Sequence, residues 1–345
     1  MMFNNQYPTH NRVFTLNRIG YDPFIDFLKG ICIIFVIINH CMPVKVMEYT
    51  AFFFWGVSAV PIFLIIQVFH AYKRGVNNAT INYRRLWKKI IYPFLICELI
   101  IFIIVSVRYQ HTNFYAYISE AISFIKYGGY GPGAYYPWIY IQFALILPII
   151  VPIFRLNTKV CCLVFIIISQ ITETVCSYYV IHQVLYRLLF FRYIFIFFLG
   201  YLLVKKGYVL NKYTLMISIL CLVISSYITY SNNSFSPILY PFVNPVCHWF
   251  CYIYIAYLLL FLLKTAYNHL KKVESIMYFF SIVGKFSYEI FLFQMFYFSI
   301  VYEWVYERLH YFVINNTLLV ISNIFLSILL CTIPVLLYKK ISKQL

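Results

Sequence analysis

The chain has 345 residues, of which 63% are hydrophobic and only 11% are charged, and its formal net charge is +17 at pH 7. A water-soluble domain of this length does not need so much apolar surface, so the composition excludes a soluble protein and indicates a membrane protein. The positive charge does not indicate a nucleic-acid partner, because no base-stacking or groove-reading element accompanies it. It is better explained by membrane topology and by attraction to anionic lipids.

Apolar runs of membrane length follow one another along the chain, and lipid favours helices because every backbone group must pair internally. Ten predicted spans cover about 24–44, 50–70, 90–109, 138–154, 160–180, 188–204, 213–230, 246–263, 282–302 and 313–337. The sequence therefore predicts an all-α fold, a polytopic helical membrane bundle. We expect a single domain over 1–345, with an N-terminal segment over 1–23, the bundle over 24–337 and a tail over 338–345. The first run lacks a small-residue cleavage site after it, which favours an anchor over a cleaved signal.

The basic residues lie mostly on one side of this predicted bundle. Nineteen of the 27 lysines and arginines fall in the even-numbered turns or near the termini, whereas five fall on the opposite side. The positive-inside rule therefore predicts that both termini are cytoplasmic.

The first span contains an acid, a base and a histidine. Lys29 and His40 are eleven residues apart, so on a helix they project from nearly the same face, separated by about 16 Å along the axis. Asp26 falls within about 60° of both on the same helix and stands at i, i+3 spacing from Lys29. Ionisable groups inside a bilayer are costly, so they indicate a functional site. The alternatives are a simple neutralising pair and an interfacial histidine.

A basic segment precedes the third span, within the cytoplasmic connection over about 71–89. Arg84, Arg85, Lys88 and Lys89 form two i, i+4 pairs on one side of a helix. They are either an ordinary positive-inside anchor or a site for a phosphorylated soluble ligand, because clustered cations suit phosphates.

An external loop over about 110–137 ends in glycines and aromatic residues. Four of the eleven glycines lie between positions 128 and 133, and Tyr135, Tyr136 and Trp138 follow. This pattern indicates either an interfacial aromatic belt with turns or a loop that helps to bind a sugar or another polar acceptor.

Other polar groups lie within the apolar runs. Gln142, after Trp138, and Glu289, beside Tyr288, are further candidates for a polar cavity, although each also has a purely structural interpretation. Some of the intramembrane ionisable residues should pair across helices, with Arg192 or Lys285 neutralising one of three acids, Glu98, Glu173 or Glu289. We expect no metal site, because His248 points away from the neighbouring cysteines 247 and 251 on a helix.

Three segments resemble the acyltransferase family 3 integral membrane proteins. Phe24–Gly30, with His40 eleven positions after Lys29, is similar to the basic-x10-His motif of the first span. Arg85-Leu-Trp-Lys88 resembles the Arg-x-x-Arg element of the third span. Gly284–Gln294 is similar to the late Gly-x-x-Ser-Tyr-x-x-Tyr-Leu-x-His segment. The resemblance covers nearly the whole chain and agrees with ten spans. Lysine replaces the common arginine at Lys29 and Lys88, and Gln294 replaces the late histidine.

This resemblance implies transfer of an acyl group, usually acetyl, from cytoplasmic acyl-CoA to a hydroxyl of an extracytoplasmic or lipid-linked carbohydrate. The catalytic residues would be His40, as general base or transient acyl carrier, with Asp26 and Lys29. The residues implied to hold the donor are Lys29, Arg84, Arg85, Lys88 and Lys89. The acceptor candidates are Tyr135, Tyr136, Trp138, Gln142, Glu289 and Gln294. The implied partners are a surface or lipid-linked glycan and the lipids of a bacterial plasma membrane.

Two other interpretations stay open at this point. The first is a secondary transporter or a flippase of lipid-linked sugars, which often shows inverted repeats and paired broken spans that are not visible here. The second is a non-catalytic relative, against which Lys29 and His40 argue. The acyl group, the acceptor sugar and the oligomeric state are not predicted.

Overall fold

The computed structural model describes residues 22–73, 83–108, 128–153, 157–179, 183–207, 210–230, 249–313 and 315–342, and the positions 115, 118, 119, 121 and 122. Regular structure in these residues is entirely helical, which confirms the predicted all-α membrane bundle. Residues 1–21 of the predicted N-terminal segment, cysteine 247 and His248 lie outside the described residues.

The helices follow the chain in a simple order. They are α1 (Pro23–Cys41), α2 (Val44–Tyr49), α3 (Phe52–Trp55), α4 (Ala59–Lys73), α5 (Tyr83–Leu86), α6 (Tyr92–Arg108), α7 (Tyr135–Ile153), α8 (Thr158–Tyr178), α9 (Gln183–Leu188), α10 (Phe195–Lys206), α11 (Lys212–Tyr230), α12 (Trp249–Tyr254), α13 (Leu260–Leu270), α14 (Glu274–Lys285), α15 (Ser287–Phe296), α16 (Tyr302–Phe312) and α17 (Asn316–Ile341). Wide π-helical turns at Trp87–Ile91, Ile255–Leu259 and Tyr297–Val301 join α5 to α6, α12 to α13 and α15 to α16, and a 3₁₀ turn at Phe190–Tyr193 precedes α10.

Each of the ten predicted spans falls on a helix, but length and composition support fewer crossings. Within the described part of the chain, six helices are long and apolar enough to cross a membrane, or up to seven if one bent pair counts as a span. The helices at Tyr135–Ile150 and Lys212–Ile228 are apolar but shorter, and α10 has 12 residues. The count of ten crossings and the cytoplasmic termini therefore stay predictions.

The ninth predicted span, 282–302, is bent near its start. The helical segment begins at Glu274, and its two parts, Glu274–Lys285 and Ser287–Phe312, are bent by 70°. The break falls at Phe286, whose backbone angles are not helical (φ −107°, ψ 20°). Hydropathy could not reveal this bend, because the apolar content of a window does not depend on the direction of the chain.

A close glycine contact joins α1 to α14. A Cβ atom on Gly30 would overlap the carbonyl oxygen of Phe280, and one on Gly284 would overlap the carbonyl oxygen of Asp26. Small residues of this kind let two helix backbones approach closely inside a membrane. The contact fixes the first half of α1, with its charged residues, beside the bend at Phe286.

An apolar core behind α1 supports the other half of that helix. Ile33 and Ile37 of α1 and Ile62 of α4 have no exposed surface, and Phe143 of α7 stacks on Phe197 of α10 at 4.3 Å between ring centroids. Tight packing of this kind costs free energy when it is disturbed. It therefore holds α4 and α7 at fixed positions next to the end of α1.

Candidate active site

The ion pair predicted at the start of α1 is present. The Nζ atom of Lys29 lies 3.2 Å from Oδ1 of Asp26, and the two side chains are 27% and 14% exposed. The helix begins just before this pair, where the Asp22 side chain accepts a hydrogen bond of 3.0 Å from the Phe24 backbone N–H. An N-cap of this type satisfies a backbone donor that would otherwise lack a partner at the helix start.

His40 lies near the other end of α1 and lines a cavity of about 420 Å³. Its ring packs edge-on against Phe298 at 5.7 Å between centroids. Since α1 is one continuous helix from Pro23 to Cys41, Lys29 and His40 are separated by about 16 Å along its axis. They belong to opposite ends of the bundle, and only His40 is in the cavity.

The glycine-rich segment 128–134 forms one wall of this cavity. All four glycines have positive φ, from 79° to 122°, a region that side chains rarely adopt. The Tyr130 backbone N–H donates to Oε2 of Glu98 at 2.8 Å, and the Glu98 side chain is almost completely buried. A Cβ atom on Gly129 would overlap this carboxylate. Gly129 is therefore needed for a close approach to α6, beyond what an interfacial turn would require.

Five of the six predicted acceptor residues divide into two groups. Tyr135 and Tyr136 line the cavity. The other three donate hydrogen bonds to backbone oxygens: Trp138 Nε1 to Gly128 at 2.7 Å, Gln142 Nε2 to Leu188 at 3.0 Å and Gln294 Nε2 to Pro132 at 3.0 Å. Trp138 and Gln294 thus hold the glycine-rich segment in place, and Gln142 holds the end of α9.

Glu289 is not brought to the cavity. Its Oε1 atom lies 2.8 Å from Nζ of Lys339, close to the end of α17. The prediction that Glu289 belongs to the acceptor cavity is corrected accordingly. Sequence position beside Ser287 and Tyr288 could not show this, because the bend at Phe286 decides which way the first turn of α15 faces.

Two arginines in the cavity lining, Arg187 and Arg192, were not predicted as site residues. Arg187 is close enough to His40 to interact with it electrostatically, and its guanidinium lies 6.0 Å from the centre of the Tyr135 ring. Arg187 falls in a predicted external turn, and nothing in the sequence around it indicates that it lines a cavity beside His40. Only the packing of α9 against α7 places Arg187 beside the first helix.

Arg192 lies deeper and is 1% exposed. Its guanidinium lies 4.2 Å from the centre of the Tyr186 ring. It also interacts electrostatically with Glu173, which accepts a hydrogen bond from the Tyr186 hydroxyl. Arg192 was expected to be neutralised by one of three intramembrane acids. The acid that it interacts with is Glu173.

The first residues of the first and late motifs meet at the end of the bundle opposite His40, and the late motif also contacts the turn that carries basic residues. Gly284 contacts the carbonyl of Asp26, and the Tyr288 hydroxyl donates to the Ile90 carbonyl oxygen at 2.7 Å. Ile90 belongs to the π-helical turn that directly follows α5. The turn and α5 carry the basic side chains Arg84, Arg85, Lys88 and Lys89, and all four are exposed.

An aromatic column connects this end of the bundle with the cavity. Tyr288 stacks on Phe291 at 6.2 Å between ring centroids, and Phe291 contacts Tyr136 at 5.4 Å. Phe291 and Tyr136 both line the cavity. Tyr288, which contacts the basic segment, is thus connected through Phe291 to Tyr136 in the lining of the cavity that contains His40.

These features define an integral membrane protein with a cavity that contains a histidine and two arginines near one end of an apolar helical bundle. The family model described as an acyltransferase domain, of the acyltransferase 3 type, matches residues 22–336. The chain belongs to acyltransferase family 3 and is a multi-pass membrane acyltransferase. No curated protein and no solved structure matches it. Family membership favours an enzyme over the transporter or flippase considered above.

Proposed function

We propose that the protein moves an acetyl group, or another short acyl group, from cytoplasmic acyl-CoA to a hydroxyl of an extracytoplasmic or lipid-linked carbohydrate, in the plasma membrane of a bacterium. One observation carries this proposal. A single helix holds the Lys29–Asp26 pair at one end, where Gly284 contacts Asp26 and the nearby Tyr288 contacts the basic segment, and holds His40 in the cavity at the other end. This arrangement suits a reaction whose donor and acceptor come from opposite sides of a membrane.

His40 supplies the chemistry. A sugar hydroxyl is a poor nucleophile at neutral pH, and a neutral imidazole is suited to take its proton while the oxygen attacks a thioester carbonyl. The carbon–sulfur bond then breaks, and coenzyme A leaves as its thiol with that proton. In the second route, an imidazole nitrogen attacks the thioester first, the carbon–sulfur bond breaks, and coenzyme A leaves as its thiol with the ring proton. The sugar hydroxyl then takes the acyl group from the ring nitrogen and returns its proton to the imidazole. Both routes require the ring to be accessible from the cavity, which it lines.

The donor's phosphates would bind the exposed basic segment, because arginine and lysine side chains suit phosphate oxygens. The pantetheine arm would follow the aromatic column from Tyr288 to Tyr136 and present the thioester to His40. Lys29 would add a positive charge near the entrance, and the 3.2 Å contact with Asp26 would hold its ammonium group in place.

The acceptor would enter from the glycine-rich side of the cavity. Tyr135 and Tyr136 offer flat faces and hydroxyl groups, which suit a sugar ring. Trp138 and Gln294 would act indirectly, since their hydrogen bonds to the backbone of the glycine-rich segment shape the wall against which the sugar lies.

The proposal is tested with the full-length protein in lipid nanodiscs, labelled acetyl-CoA and envelope glycan from a strain that lacks the protein. We expect slow thioester hydrolysis without glycan, and label transfer when glycan is added. His40→Ala should lower transfer by roughly 100-fold or more. The matched control is His310→Ala, because His310 is exposed near the end of α16.

Full transfer by His40→Ala would disprove the role of His40. The two chemical routes are separated by rapid quenching without acceptor. Label on the histidine of the wild-type protein supports the acyl carrier, and its absence during active turnover supports the general base. Mass spectrometry of the glycan product then identifies the acyl group and the sugar position.

A further inference from the structure

The charge of the cavity suggests what kind of acceptor it takes. Its lining contains two arginines and one histidine, and none of its described lining residues is acidic. A cation in a partly enclosed site within an apolar bundle is costly unless an anion compensates it. Each arginine therefore needs a negatively charged partner, either in the protein or in a ligand.

Arg192 has such a partner in the protein. It interacts electrostatically with Glu173, whose carboxylate also accepts a hydrogen bond from Tyr186. The ring of Tyr186 covers the guanidinium at 4.2 Å. Glu173 thus supplies a negative charge for Arg192 within the fold, so Arg192 gives little reason to expect a charged ligand.

Arg187 differs in this respect. Its guanidinium rests near the Tyr135 ring at 6.0 Å, and none of the carboxylates in the described ranges forms an ion pair with it. It is only partly exposed, and it shares the cavity with His40. An arginine held against an aromatic ring presents its N–H groups in a fixed plane, which suits two oxygens of one anion.

We infer that Arg187 forms an anion-binding subsite beside His40, which binds a carboxylate or phosphate group of the acceptor glycan. This inference rests on the proposed function and deepens it, because it specifies an acidic glycan as the acceptor class. Binding of the anion at Arg187 would place a neighbouring hydroxyl of the same sugar unit near the imidazole. Arg187 is thus assigned to acceptor specificity.

The test uses the full-length protein in nanodiscs with labelled acetyl-CoA. Envelope glycan from a strain that lacks the protein is separated by anion exchange into neutral and anionic fractions. The wild-type protein should label the anionic fraction with a kcat/KM roughly tenfold or more above that of the neutral fraction. Arg187→Gln should lower the anionic value to a similar extent, mainly through KM, and should largely remove the preference.

Two further variants serve as controls. Arg187→Lys keeps a point charge without the planar fork, so the anionic preference should fall only in part and should weaken as salt is added. Arg308→Gln removes an exposed cation of α16 that lies over Trp304 at 5.8 Å, away from the cavity, and should behave as the wild type. If Arg187→Gln does not fold, the test depends on Arg187→Lys. The inference is then overturned if the preference of this variant for the anionic fraction does not change when salt is added.

Other outcomes also decide the matter. Labelling of the neutral fraction alone overturns the inference, as does an equal loss for both fractions in Arg187→Gln, since that would indicate a structural or transition-state role. Succinyl-CoA tests whether the anion comes from the acyl group. If Arg187 binds that carboxylate, the wild type prefers succinyl-CoA even with neutral glycan, which overturns the acceptor assignment.

Failure of the proposed function is recognised separately. A wild-type protein that neither hydrolyses acetyl-CoA nor labels any glycan contradicts the proposed reaction. The subsite is then judged by thermal unfolding alone. A rise of the unfolding temperature with the anionic fraction in the wild type, absent in Arg187→Gln, supports anion binding, and no rise in either protein overturns it.

Discussion

Gly284 lies directly against the backbone carbonyl of Asp26, so closely that the smallest side chain would overlap this oxygen. The contact joins the late motif of the chain to the first one, although the two residues are 258 positions apart. It also places the Lys29–Asp26 ion pair beside the bend at Phe286. The geometry of the proposed donor entrance therefore depends on a backbone contact as much as on charged side chains.

The first prediction concerns this contact. Gly284→Ala should force α1 and α14 apart and lower the free energy of unfolding by about 1–3 kcal/mol. Thermal unfolding in detergent measures this loss, with Ser281→Ala on the same helix as the control. An unfolding temperature equal to that of the wild type would show that the helices can separate without cost.

The second prediction concerns the ion pair. Asp26→Asn should leave Lys29 without its carboxylate partner and should raise the KM for acetyl-CoA several-fold, because the ammonium group loses its fixed position. A double-mutant cycle with Lys29→Met should give a coupling energy of about 1 kcal/mol, since both side chains are partly buried. Additive effects would mean that the 3.2 Å contact contributes nothing to activity.

The third prediction concerns Glu98 beneath the glycine-rich segment. Glu98→Gln keeps an oxygen that can accept from the Tyr130 N–H, whereas Glu98→Ala removes it and leaves a buried donor, at a cost of about 1–3 kcal/mol. We therefore expect Glu98→Ala to raise the KM for the glycan and lower the unfolding temperature, with smaller effects in Glu98→Gln. Equal effects in both variants would indicate that the negative charge, and not the hydrogen bond, is required.

The fourth prediction concerns Tyr288. Tyr288→Phe removes only the hydroxyl that donates to Ile90 at 2.7 Å, so the basic segment should be held less firmly. The expected result is a several-fold rise in the KM for acetyl-CoA, with unfolding weakened by about 1 kcal/mol. Tyr278→Phe is the control, because Tyr278 is 67% exposed. An unchanged KM for acetyl-CoA would show that donor binding does not depend on how firmly the basic segment is held.

Much of the local structure was readable from the chain. Apolar runs predicted where helices lie, because hydropathy reports membrane segments directly. The spacing of Asp26 and Lys29 predicted an ion pair, and the eleven-residue spacing of Lys29 and His40 predicted their placement at opposite ends of one helix. Each of these depends only on the geometry of a single helix, so no tertiary contact was needed.

The sequence by itself determined a helical membrane bundle, one helix that carries Asp26, Lys29 and His40, and a family resemblance that the comparison confirms. Tertiary structure alone decided that Arg187 joins His40 in one cavity, that Glu289 pairs with Lys339 and that Glu98 supports the glycine-rich segment. Periodicity states which residues share a helix face. It cannot state which faces meet, because that depends on how helices distant in the chain pack and where one of them bends.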